Sequence, residues 1–122
     1  MTAEQNKKLA VEAFHEFAAG NTTPLRTLLR EDFLEHSPGN PSGRDAFLDF
    51  IATAPVASAR LDLCRVIADD THVVMHYLMT TEDNPRGVAV SDIWRFEGSQ
   101  IVEHWDVVQP VPHAAEVPNG MV

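Results

Sequence analysis

Two stretches of this chain place titratable side chains where a strand would be expected to carry apolar ones. Residues 88–96 read VAVSDIWRF, and alternate positions give Val88, Val90, Asp92, Trp94 and Phe96, an apolar face with one carboxylate at its centre. Residues 101–110 read IVEHWDVVQP, and one parity gives Val102, His104, Asp106 and Val108, so a histidine and an aspartate lie between valines. Ionisable groups among apolar neighbours suit proton transfer, because desolvation moves their pKa values away from solution values. The same pattern also fits polar groups satisfied at a sheet edge. Removing a proton next to a carbonyl needs a base that titrates near neutrality and a donor for the developing enolate oxygen. His36 or His104 fits the base; Asp92, if protonated, or His76 fits the donor. Asp106, two residues from His104 on the same strand face, would tune the charge of the imidazole.

Other chemistries lack their residues. No glycine-rich phosphate loop, CxxC pair or GxSxG elbow occurs, so covalent catalysis and a nicotinamide or flavin cofactor find no support. His76, Asp92, His104 and Asp106 offer metal-type ligand atoms but not a metal-site spacing such as HExxH. No metal and no cofactor are expected.

Composition narrows the partners. The 122 residues suit one domain, and 44% hydrophobic with 22% charged residues is ordinary for a globular chain. A formal charge of −9 disfavours nucleic acid and anionic membrane, which call for clustered lysine and arginine. No apolar run approaches the ~18 residues of a membrane span. The single Cys64 excludes an internal disulfide, and a reducing cytoplasm is the expected location.

The elements that must position these residues follow from periodicity. Leu9, Ala10, Ala13, Phe14, Phe17 and Ala18 make one helical stripe that Gly20 ends. Thr23 and Pro24 open a short second helix with Leu25, Leu28 and Leu29 on its buried side, and Phe33 and Leu34 continue that apolar surface. Residues 35–43 hold two prolines and two glycines and predict an irregular loop with His36 at its entrance. A third helix is predicted from Arg44 to about Ala54, followed by four strands in an antiparallel meander. The proline-containing stretch 110–122 is expected to be an extended tail.

The segments Glu35-His36-Ser37-Pro38-Gly39, Ser91-Asp92-Ile93-Trp94-Arg95-Phe96 and, above all, IVEHWDVVQPVP resemble the nuclear transport factor 2-like superfamily, in its SnoaL-like branch. The resemblance spans about residues 5–112 and implies one SnoaL-like domain. Its implied fold is an α+β cone, three N-terminal helices on a strongly bent, mainly antiparallel sheet, here of four strands, enclosing a pocket. It places Asp92 where the polyketide cyclase of this branch carries its acid–base aspartate. His36 falls near the position of the general base of the related ketosteroid isomerases. The implied activity is cofactor-independent acid–base catalysis on a small carbonyl compound, of aldol, cyclase or isomerase type. The competing class is a binding protein that holds a small ligand in the same pocket without turnover. Asp92, His36, His104, His76 and Asp106 are the expected catalytic set, lined by Trp94, Val90, Val102, Val108 and Phe33. A homodimer through the outer sheet face is expected, since Ile101, Trp105 and Val107 would otherwise meet water.

Register decides whether the site exists. A plain two-residue turn at Gly98-Ser99 would set Asp92 opposite Trp105 and send His104 and Asp106 to the far face. A bulge shifts the pairing by one and returns them. Both parities of the last strand carry apolar residues, and the resemblance favours the bulged register, with His104 beside Asp92, Asp106 beside Val90, His36 and His76 on the same concave face, and Trp105 pointing away.

Overall fold

The computed structural model describes Met1–Val122. Helix α1 runs Ala3–Ala18, and Thr2 caps it reciprocally: its Oγ1 accepts from the Gln5 backbone N–H at 3.2 Å, while its own N–H donates to Gln5 Oε1 at 2.9 Å. Asn6, fully buried on this helix, donates from Nδ2 to the Asp70 carbonyl at 3.0 Å and so ties the helix to the turn between two strands. Helix α2, Thr23–Leu28, has its proline in the first turn. Helix α3 spans Arg44–Ile51, shorter than predicted, because Pro55 starts a 3₁₀ turn, Pro55–Ser58, that leads into the sheet.

The sheet has five strands: β1 Leu29–Glu35, β2 Arg60–Ala68, β3 His72–Thr81, β4 Asn84–Glu97 and β5 Gln100–Pro110, in spatial order β1-β5-β4-β3-β2. The expected meander accounts for β2 to β5. The strand beyond the expected four is β1, which follows α2 without a break and pairs with β5 in parallel, Leu34 opposite Glu103 and Glu35 opposite His104. Sequence periodicity hid it. Leu25, Leu28, Leu29 and Phe33 are all buried and keep helical spacing across the α2–β1 junction, so the strand imitates a continuing helix face.

The three helices cover the concave face of the curled sheet. Leu29, Phe33, Val73, Met75 and Ile101 are almost wholly buried beneath them, together with Ala10, Ala13, Phe47 and Ile51 from the helices. On β3 the inward parity is Val73, Met75 and Tyr77; each is buried, whereas His72, Val74 and His76 are only partly covered. No helix is long and apolar enough to cross a membrane.

The β4–β5 hairpin turns at Gly98 and Ser99, with Gly98 at φ +59°, Glu97 opposite Gln100 and Phe96 opposite Ile101. Arg95 then pairs with Glu103, so Val102 is an extra residue on β5, a bulge. The bulge changes the inward parity of β5 from Ile101 to His104, Asp106 and Val108. The shift runs opposite to the direction expected: Asp92 faces Asp106, Trp94 faces His104 and Val90 faces Val108. From His104 onward β5 turns the expected residues inward, but the direct neighbours differ by two residues, and Ile101, expected on the outer face, is buried beside the cavity.

Candidate active site

The sheet and helices enclose a cavity of 380 Å³ lined by 23 residues, 18 of them hydrophobic. Its walls come from α1 (Phe14, Phe17), α3 (Phe47, Phe50), β3 (Met75, Tyr77) and β4 (Val90, Trp94). The polar side chains of the lining are Asn40, Asp92, His104 and Asp106, joined by the hydroxyl of Tyr77. Apolar walls that converge on a few polar groups are the usual form of a small-molecule site.

His104 is the centre of that polar end and is 3% exposed. Its Nε2–H donates to Asp92 Oδ1 at 2.9 Å and its Nδ1–H donates to Glu35 Oε1 at 2.7 Å. The indole of Trp94, its cross-strand partner, stacks on the ring with centroids 3.7 Å apart. Burial opposes a charge on the imidazole, but the hydrogen bonds and charges of Asp92 and Glu35 outweigh it and push the pKa up to about 9. At neutral pH His104 is therefore an imidazolium with both N–H groups donated to carboxylates. It is not a free base.

Glu35 is the residue that sequence reasoning missed. Its side chain has no exposed surface; Oε1 also accepts from the Ser37 backbone N–H at 3.1 Å, and Oε2 from Asn40 Nδ2 at 3.4 Å. Three donors, from His104, Ser37 and Asn40, thus converge on this buried side chain. The signal available was parity: once residues 29–35 are a strand, Phe33 and Glu35 share a face and both turn inward. Tyr77 was missed too. Burial, followed by the charges of Asp92 and Asp106, holds its hydroxyl well above the ordinary phenol range, so it remains a donor. No sequence signal marked Asn40.

Asp106 is less buried than Asp92. Burial raises its pKa and the Asp92 charge adds to the rise, while a hydrogen bond from Ser37 and the charge on His104 pull the other way; the net direction is up. Asp92, His104 and Asp106 also present ligand-type atoms within 4.8 Å of one another. Because His104 Nε2 is occupied by Asp92, a cation on this trio would first have to displace a proton from a group titrating at about 9.

Two expected members of the constellation lie elsewhere. His36 is on the outer face, its ring stacked on Trp105 (centroids 5.0 Å, interplanar angle 4°), and its Nε2–H donates to Glu103 Oε2 at 2.6 Å. The reason is alternation along β1: with Glu35 inward, the next residue faces out. His76 also faces out, hydrogen-bonded to the Arg65 guanidinium in a shallow groove with Ser91 and Val74. Tyr77 and Met75 occupy the inward positions in its place. Of the expected lining, Trp94, Val90 and Val108 face the cavity. Phe33 instead packs edge-on against Phe47 in the core, centroids 5.0 Å apart, and Val102 is buried at the bulge. Trp105 points away, as the bulged register requires.

The profile of the SnoaL-like domain matches residues 10–104. No curated protein matches the chain in sequence. Among solved structures, a candidate ketosteroid isomerase from Kribbella flavida superposes with a TM-score of 0.78 at 20% identity, covering 100% of this chain and 94% of that one. A nuclear transport factor 2-like protein of unknown function from Burkholderia xenovorans gives 0.79 at 15% identity, over 98% of this chain and 96% of its own. A steroid delta-isomerase from Pseudomonas aeruginosa gives 0.67 at 21% identity, over 87% and 80%. At these identities the likeness is one of fold. With a profile match across most of its length and an architecture shared with nuclear transport factor 2-like proteins, the chain belongs to the SnoaL-like domain family.

Proposed function

We propose that this protein is a small cofactor-independent enzyme that moves protons next to a carbonyl group, in an isomerisation or an aldol-type cyclisation. The observation that carries this reading is the division of labour at the polar end of the cavity. His104 is charged and clamped between Glu35 and Asp92, while Asp106, with its pKa raised by burial, is free to exchange a proton with a bound molecule. In this scheme Asp106 takes the α-proton. The Tyr77 hydroxyl, kept protonated by burial, meets the enolate oxygen that develops. Binding without turnover is the competing reading, and it draws on the apolar majority of the lining.

The experiment is α-proton exchange in D₂O. 2-Tetralone and 3-cyclohexenone, a saturated-side and a β,γ-unsaturated ketone, are followed by proton NMR with wild-type protein and Asp106→Asn. Catalysed exchange that falls ~10²–10⁴-fold in the variant supports the reading. Binding of these ketones without any catalysed exchange supports the binding protein instead.

Two further expectations belong with this reading. The outer sheet face, with Val107 70% and Ile67 64% exposed and Trp105 between His36 and His72, is proposed as the contact between two copies. The unpaired, exposed Cys64 accords with a reducing cytoplasm.

A further inference from the structure

The charge of the cavity has a direction. None of the 23 lining residues is a lysine or an arginine. The only cation at the polar end is His104, and both of its N–H groups are already given to carboxylates. Glu35 and Asp92 together outweigh that one imidazolium by a single negative charge before Asp106 is counted. Asp92 is 6% exposed, faces the cavity, and accepts from His104 Nε2–H through Oδ1. The lining is also rich in aromatic rings: Phe14, Phe17, Phe47, Phe50, Tyr77 and Trp94 all face the same space.

These features act together on a guest. An anionic group at the polar end would meet Asp92 and Asp106 with no free cationic donor to offset the repulsion. A neutral hydroxyl or carbonyl finds hydrogen bonds but no net attraction. A protonated amine donates to Asp92 and Asp106, and its charge is also favoured by the negative faces of aromatic rings.

We propose that this cavity selects its ligand by charge, taking a compact apolar body that carries a protonated amine and refusing carboxylates and phosphates. The proposal rests on the cavity being the ligand site, as in the function proposed above, and not on turnover. Joined to that function, it makes the substrate an amino ketone and not a keto acid.

The test is a matched set of three probes with one aromatic body: 2-naphthylmethylamine, 2-naphthylmethanol and 2-naphthoate. Dissociation constants are measured by calorimetry with the wild-type chain at pH 7.5. The amine is expected to bind at least about 10-fold more tightly than the alcohol, the equivalent of ~1.4 kcal/mol, and the carboxylate more weakly than either. In Asp106→Asn the advantage of the amine over the alcohol should shrink. Naphthoate binding as tightly as the amine, or none of the three binding, overturns the proposal. The wild-type ranking decides the matter without any variant. Amine selectivity without ketone exchange would sink only the acid–base function, and ketone exchange with no amine preference would sink only this inference.

Discussion

His104 Nε2 lies 2.9 Å from Asp92 Oδ1 although the two residues are not opposite each other in the sheet: Asp92 faces Asp106, and His104 faces Trp94. Their contact runs diagonally between β4 and β5, a reach that long polar side chains can span. The direct opposition places two carboxylates, Asp92 and Asp106, side by side, which is the arrangement that makes one of them reluctant to ionise.

His104 is expected to titrate near pH 9 in the folded protein, against about 6.5 when unfolded. The folded value is the higher one, so the triad contributes its full stability below about pH 6.5 and loses it as pH rises through about 9. The amount at stake is on the order of 3 kcal/mol. Nitrogen-15 NMR of the imidazole at pH 7.5 should show both ring nitrogens protonated. A neutral ring at that pH would leave one of its two carboxylate contacts without an N–H donor. Glu35→Gln takes away one of the two anions and should lower the midpoint by about one pH unit.

Asp106→Asn should separate stability from activity. Folding raises the pKa of this carboxyl, so above the unfolded value of about 3.9 its ionisation opposes the folded state. A neutral amide of the same shape relieves that, by about a few tenths of a kcal/mol once solvent screening at this half-buried position is allowed for. Urea denaturation at pH 7 should therefore show a slightly more stable protein, with proton exchange reduced as described above. A variant less stable than wild type by more than about 1 kcal/mol would mean that Asp106 is a structural anion and not a strained functional one.

Light scattering at micromolar concentration should give twice the chain mass of 13.5 kDa. Val107→Arg places a charge at the most exposed large apolar residue of the outer face and should yield the monomer with its secondary structure intact. A wild-type monomer would leave the outer face without the proposed partner.

Gly87 sits at φ +83°, and a Cβ there would fall 2.6 Å from the Met79 carbonyl oxygen and 2.8 Å from Thr80 Cγ2. Backbone cannot step aside as a flexible side chain can, so Gly87→Ala should cost more than about 1 kcal/mol in thermal or urea unfolding. Gly98, at φ +59° with nothing within 4 Å, should tolerate alanine better because only the backbone preference is lost.

The sequence by itself determined the three helices, four of the strands and the two stretches that supply Asp92, His104 and Asp106, because period 3.6 and period 2 are local properties of the chain. The shift near Gly98 was favoured only by the family resemblance, since both parities of β5 carry apolar residues, and its direction came from the packed sheet. What tertiary structure decided was which face of an ambiguous strand goes inside. In β3 one parity carries Val73, Met75, Tyr77 and Met79 and the other Val74 and Leu78 between histidines, and packing against α1 turned Met75 and Tyr77 inward and left His76 outside: the Phe14 and Tyr77 rings meet edge-on with centroids 5.0 Å apart. In β1 the strand itself comes from a parallel partner more than sixty residues away, and no local pattern encodes that pairing. Once made, it turns Glu35 to the buried imidazole and His36 to Trp105 on the outside, because adjacent residues of a strand point to opposite faces.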